Sequence, residues 1–330
     1  MSFDEFASHL GVSRRGVARW NAHPDTRLRW DMQRALDHAL ATAPPEARQR
    51  FRTLLAVAPE RGVTARVAAQ PGTGRRLAEL VGTALIASTA ATGSGPQSLF
   101  RLERAVAQAR MGFQACRYEA TAAELPGLMQ ALAEAKADAG QRFPERVSRL
   151  VSLAHQVASS LLLKVDDVAL AVLAAERAVH TAGDALTHAS ATRVMVETLT
   201  RAGHARQALT LRSNVEGAGA RELSVRGALH LSRALAAAHL GEPNGELDEA
   251  LHEAEAIALR VSGNFAWTGF GPANVGLHRA IAARLLGDCH RARHELSKVD
   301  PARLPYPERR EAYFFEAAAL AKSTPASSLC

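Results

Sequence analysis

Three observations predict an all-α fold. Alanine fills 68 of the 330 positions. Aromatic residues make up only 5% of the chain. From about residue 97 onward, apolar residues recur at helical spacing in one segment after another. Alanine is the strongest helix former and lets helices approach closely, whereas sheets draw on β-branched and aromatic side chains.

The elements follow in order along the chain. In FDEFASHLGVSRRGVARWN, starting at Phe3, the side chains of Phe6, Ala7 and Leu10 share one helical face. Gly11 supplies a turn, Val12 packs inward, and Ser13 is suited to cap a second short helix whose apolar face continues with Val17 and Trp20. Pro44 and Pro45 close one helical pattern and open another, EARQRFRTLLAVA. The stretch from Pro59 to Gly74 mixes Pro, Gly and Thr without apolar periodicity and reads as a linker. The run LAELVGTALIASTAAT, Leu77 to Thr92, follows Arg75 and Arg76. Twin arginines before an apolar stretch also mark some export signals, but this run lies inside the chain and contains Glu79, so it reads as a buried helix. After a break at Gly93 to Pro96, helical segments are expected at about 97–118, 127–139, 144–163, 167–182, 185–202, 204–214, 221–240, 246–262, 272–286, 288–299 and 307–322. The resulting division is 1–58 for an N-terminal domain, 59–96 for a linker with a short apolar helix, and 97–330 for a helical repeat domain.

The repeat lies in RAGHARQAL, HLGEPNGELDEAL and LLGDCHRAR. Each time a helix ends at a glycine, and the next helix presents an alanine: Ala208, Ala250 and Ala292, spaced 42 residues apart. KVDDVALAV is a weaker member, with Ala171 placed 37 residues before Ala208. Glycine lets the chain reverse, alanine lets the paired helices close up, and successive pairs build a core that no pair has alone. These hairpins resemble degenerate tetratricopeptide repeats, with HEAT-like hairpins as the alternative.

Charge narrows the function. Residues 1–76 hold 13 Arg, no Lys and 7 acids, so almost all of the formal net charge of +7 sits at this end. A basic end on a nearly neutral body points to a polyanion, most often nucleic acid. The three cysteines, Cys116, Cys289 and Cys330, are far apart and have no clustered His. That spacing speaks against a disulfide framework and a Cys-based zinc site, and for a reducing compartment. No phosphate-binding loop, dinucleotide fingerprint, zinc-protease helix or nucleophile elbow occurs in the sequence, so an enzyme is not expected, nor a cofactor or metal site. Met1 to Leu10 lack the apolar run of a signal peptide, and a cytoplasmic protein without membrane association is expected.

Ala7, Gly11, Val12 and Val17 stand at the spacings of a helix-turn-helix. The pattern AxxLGVSxxxVxxW resembles the Xre/Cro type. The following HPDTRLRWDMQRALDHALATAPPEARQRF looks like the later helices of that domain in actinobacterial regulators, as do FGPANVGLHR and VDPARLPYPERR further on. The resemblance implies a small N-terminal helix-turn-helix domain followed by a tetratricopeptide-like α-solenoid, in a homodimeric transcriptional regulator that binds double-stranded operator DNA. It implies that Ser13, Arg14, Arg15 and Arg19 face the DNA, with Arg reading guanine or holding phosphates. The family's first helix would precede Phe3, and a start upstream of Met1 is expected on that ground. The alternative function is a tetratricopeptide-type interaction adaptor that no longer binds DNA.

In the repeat half, NFAWTGFGPANVGLH at 264–278 gathers aromatic, amide and imidazole groups beside a helix start. Asn274 and His278 fall on one helical face. Trp267, Phe270, Asn274 and His278 are the candidate contacts for a peptide, small ligand or protein partner. The alternative is that the aromatics here are core. The remaining histidines His155, His180, His188 and His204 lack metal-ligand spacing and are expected to be surface or core residues.

Overall fold

The computed structural model of the chain describes residues 73–87, 98–138, 142–213, 215–241, 245–261, 263–300 and 303, with 6–8, 12–15, 17–18 and 39 near the N-terminus. Contacts divide the chain into two compact units, Met1–Arg61 and Gly62–Cys330. The regular structure among the described residues is helical, as composition predicts.

In the second unit, α1 (Thr73–Ala87) is followed by five helical hairpins. They are α2 (Leu99–Gln114) with α3 (Tyr118–Ala137), α4 (Pro144–Lys164) with α5 (Val168–His180), α6 (Ala185–Arg201) with α7 (Ala205–Thr210), α8 (Ala220–His239) with α9 (Gly245–Ala258), and α10 (Pro272–Leu285) with α11 (Cys289–Ser297). The first helix of each pair packs on its own partner and on the first helix of the next pair, so the hairpins stack in chain order. Helix α1 lies against α3 and α4, burying Leu77, Val81, Ala84 and Leu85, which repeat at helical spacing. Among the described residues no helix is long and apolar enough to cross a membrane.

Every hairpin turns on a residue with left-handed backbone: Cys116 (φ 56°), Asp166 (φ 60°), Gly203 (φ 81°), Gly241 (φ 71°) and Gly287 (φ 81°). In four of the turns the next backbone N–H reaches back five residues. Arg117 donates to Gly112, Asp167 to Leu162, His204 to Leu199 and Asp288 to Ala283, at 2.8 to 3.0 Å. This is the bond that closes a Schellman helix end and satisfies a carbonyl the helix would otherwise leave open. Ala171, Ala208, Ala250 and Ala292, the alanines of the sequence repeat, are all buried in the second helices. Asp167, Asp184 and Asp288 cap α5, α6 and α11 by accepting from the backbone N–H three residues on. Such caps are worth about 1 kcal/mol each.

Two expectations are revised. The sequence places a break between 118 and 127, whereas α3 runs unbroken through Pro126. Proline costs α3 a backbone bond, but Leu125, Leu128 and Met129 beside it are buried, and that packing carries the helix through. The segment expected at 204–214 stops at Thr210, where the Arg233 guanidinium donates to the carbonyls of Leu209 and Leu211. Cys116 is a free cysteine.

The apolar core forms one cluster through α1 to α5, a second from α6 to α10 and a third between α10 and α11. Where α4 meets α6 the packing turns polar. Ser159 and Thr198 hydroxyls meet at 3.1 Å, and the Ser190 hydroxyl donates to Gln156 Oε1 at 2.7 Å. Small hydroxylated side chains let these helices close up while pairing with one another, which fixes their register.

Candidate functional site

In the N-terminal unit, residues 6–8, 14–15 and 17–18 are helical, and Ser13 precedes the second helical stretch. The Val12 N–H donates to the Ala7 carbonyl at 2.9 Å, the same five-residue closing bond found in the repeat hairpins. The Ser13 carbonyl accepts from Val17 N–H at 3.2 Å, which puts Ser13 at the cap of the stretch. Ala7 and Val17 are buried, whereas Ser13, Arg14 and Arg15 are exposed. Three of the four expected DNA contacts therefore lie together on an exposed helix start. Arg19 lies outside the described residues.

The second candidate region is a short loop joining α9 to α10. Residues Phe265–Trp267 form a single 3-10 turn in which Ala266 (φ 49°) and Trp267 (φ 59°) are both left-handed. Side chains rarely accept this conformation, and it costs about 1 to 3 kcal/mol per residue. The loop is held from α2, in the first hairpin. The Arg110 guanidinium donates to the Ala266 carbonyl at 2.8 Å and lies 5.9 Å from the centre of the Trp267 ring. Gln114 Nε2 donates to the Trp267 carbonyl at 2.7 Å, and its Oε1 accepts from Asn264 Nδ2 at 2.9 Å. Asn264 Oδ1 in turn accepts the Gly269 N–H at 2.9 Å. The bonds from α2 join residues 150 to 156 apart in sequence, so the row of hairpins curls until the entry to its fifth member meets its first.

The four residues expected to meet a ligand here have distinct places. Trp267 is half-buried under Arg110. Phe270 is 3% exposed and lies against Gly227 of α8. Asn274 is buried, and its Nδ2 donates to the Gly269 carbonyl at 2.9 Å. His278 is buried one turn further along α10, where its Nδ1–H donates to the Asn274 carbonyl at 2.9 Å. Burial pushes the His278 imidazole below its ordinary pKa, against the smaller opposing effect of that hydrogen bond. Phe270 and Asn274 thus secure the loop, while Trp267 and the exposed Phe265 form its outer surface. Arg110, Gln114 and Asn264 complete the arrangement. Helical periodicity in α2 gives no sign that Arg110 and Gln114 serve a loop so distant in sequence.

Among the described residues there is no group of three or more His, Cys, Asp or Glu able to hold a metal ion. Comparison with protein-family models, with curated proteins and with solved structures finds no match.

Proposed function

We propose that the chain is a DNA-binding transcriptional regulator of the Xre type, acting in the cytoplasm as a homodimer on double-stranded operator DNA. Ser13, Arg14, Arg15 and Arg19 contact the DNA. The stacked hairpins, a tetratricopeptide-like domain, dimerise and receive a peptide, small ligand or protein partner. Occupation of that domain shifts the population of DNA-competent dimers. The observation that carries this reading is the exposed Ser13-Arg14-Arg15 helix start directly after a closed turn whose flanking Ala7 and Val17 are buried. A helix start with exposed arginines presents both backbone N–H groups and cations to phosphate, and its first turn can reach base edges.

The test is DNA affinity against salt concentration for the full chain and for Arg14→Ala, Arg15→Ala and Arg19→Ala. A phosphate contact lowers the salt slope of log K by about 0.9 when removed. A bidentate guanine contact instead costs about 1 to 3 kcal/mol and relaxes one position of the site. Affinities unchanged in all three variants would refute the DNA-facing role and leave the interaction adaptor.

A further inference from the structure

A cleft of about 150 Å³ lies between α3, α4 and α5, and no residue of the loop at 263–270 lines it. Its walls include Met129, Leu132, Val151 and Ala154, so its body is apolar. That volume matches a cavity that takes a benzene ring. His155 also lines it and is only 6% exposed. The His155 Nδ1 is 2.9 Å from the Val151 carbonyl, which can only accept, so this nitrogen carries the proton. Nε2 is therefore a lone-pair acceptor, and it is buried with no partner. Buried acceptors are rarely left so. Burial lowers the imidazole pKa to about 4, which keeps this tautomer neutral at pH 7.

Two cations share the cleft. Lys136 is exposed at its edge, and Arg177 is half-buried. The Arg177 guanidinium donates to the Leu85 carbonyl in the last turn of α1, which holds it in place while leaving further N–H groups for an anion. The arrangement thus sets a buried, unpartnered acceptor in the wall of an apolar slot of ring size, with cations among the lining residues.

We propose that this cleft is a binding site for a small hydroxylated carboxylic acid with an aromatic or compact apolar body. Its hydroxyl donates to His155 Nε2, its body fills the space between Leu132 and Val151, and its carboxylate meets Arg177 and Lys136. The site stands independently of the DNA-binding reading.

The test uses isothermal titration of the full chain with the three hydroxybenzoate isomers, benzoate and phenol. At least one hydroxybenzoate binds with a Kd below about 1 mM, which is within reach of a ligand of roughly ten non-hydrogen atoms. Benzoate, lacking the donor, and phenol, lacking the anion, bind about tenfold or more weakly. His155→Phe removes the preference for hydroxybenzoate over benzoate. Lys136→Ala, an exposed change that leaves the core intact, weakens the carboxylates and leaves phenol unchanged. Nitrogen NMR of the His155 ring reports a Nε2 resonance that moves when the hydroxybenzoate binds. No saturable binding of any isomer by the wild-type chain overturns the proposal. So does equal affinity for hydroxybenzoate and benzoate, or a Nε2 resonance that stays fixed at saturation.

Discussion

Replacing Gly227 by alanine tests how the loop between α9 and α10 is held. A Cβ at this position would stand 2.1 Å from Phe270 Cζ and 2.5 Å from both Cε atoms, far inside van der Waals contact. The ring cannot simply swing aside. It is buried, and its backbone follows Gly269, whose N–H and carbonyl are held by Asn264 and Asn274. Inserting a methyl group into such a contact costs about 1 to 3 kcal/mol, and more where backbone must move. Against this, alanine gains about 1 kcal/mol over glycine in a helix interior. With three ring carbons that close and the adjoining backbone held, the cost falls at the upper end of that range, and the net expectation is a loss of about 2 kcal/mol, or several degrees in Tm for a unit of this size. Gly127 of α3 is the control, since nothing lies within 4 Å of its added Cβ. Gly127→Ala should therefore stabilise by up to about 1 kcal/mol. Urea denaturation followed by circular dichroism measures both, and Phe270→Leu in the Gly227→Ala background should recover part of the loss. A Gly227→Ala chain as stable as wild type would refute the close packing of Phe270 on α8.

Acid should weaken the fold through its buried histidines. His155 titrates at about 4 in the folded chain against 6.5 unfolded, because of its burial, with Arg177 and Lys136 as lesser causes. The unfolded chain binds the extra proton, so stability held above pH 6.5 is lost as pH falls towards 4, by about 3 kcal/mol from this group. His230 and His278 are shifted in the same direction. Denaturation midpoints between pH 7 and pH 4 should fall less steeply in His155→Phe than in wild type, and parallel curves would contradict the assignment. Asp184 accepts from both the N–H and the hydroxyl of Thr187 at 2.8 Å, so Asp184→Ala should cost about 1 kcal/mol in the same assay, and Asp184→Asn clearly less. An unchanged Asp184→Ala midpoint would count against the cap. Gln114→Ala removes the partner that orients Asn264, so hydrogen exchange at the Gly269 N–H should quicken while α9 keeps its protection. Unaltered exchange at Gly269 would show that α2 does not hold the loop.

Much of the hairpin stack is legible in the sequence because its turns follow a local rule. Gly203, Gly241 and Gly287 occupy left-handed positions that glycine adopts without penalty, and the alanines that follow are buried where two helices close up. The first two hairpins turn on Cys116 and Asp166 in place of glycine, so the glycine signal misses them. Pro126 misleads in the opposite way, because tertiary burial outweighs its local cost. The loop at 263–270 stands out by composition, but its partners on α2 do not, since hydrogen bonds across 150 residues leave no periodic trace. His155 shows the same limit. A lone histidine on an apolar helix reads as core, and only the folded arrangement leaves its Nε2 without a partner and brings the residue to a cleft lined also by Arg177 and Lys136. At the N-terminus, by contrast, the cap and turn chemistry of Ala7, Val12 and Ser13 is local, and the hydrogen bonds there follow the spacing in the sequence.

The regulator reading is tested most directly by selecting bound fragments from genomic DNA with the purified full chain at near-physiological salt. The selection is repeated with Arg14, Arg15 and Arg19 all changed to alanine. The account predicts enrichment of one palindromic motif by the wild-type chain, with half-sites a helical turn or a multiple apart, and its loss in the triple variant. Weak enrichment without a motif, equal in both proteins, would contradict it.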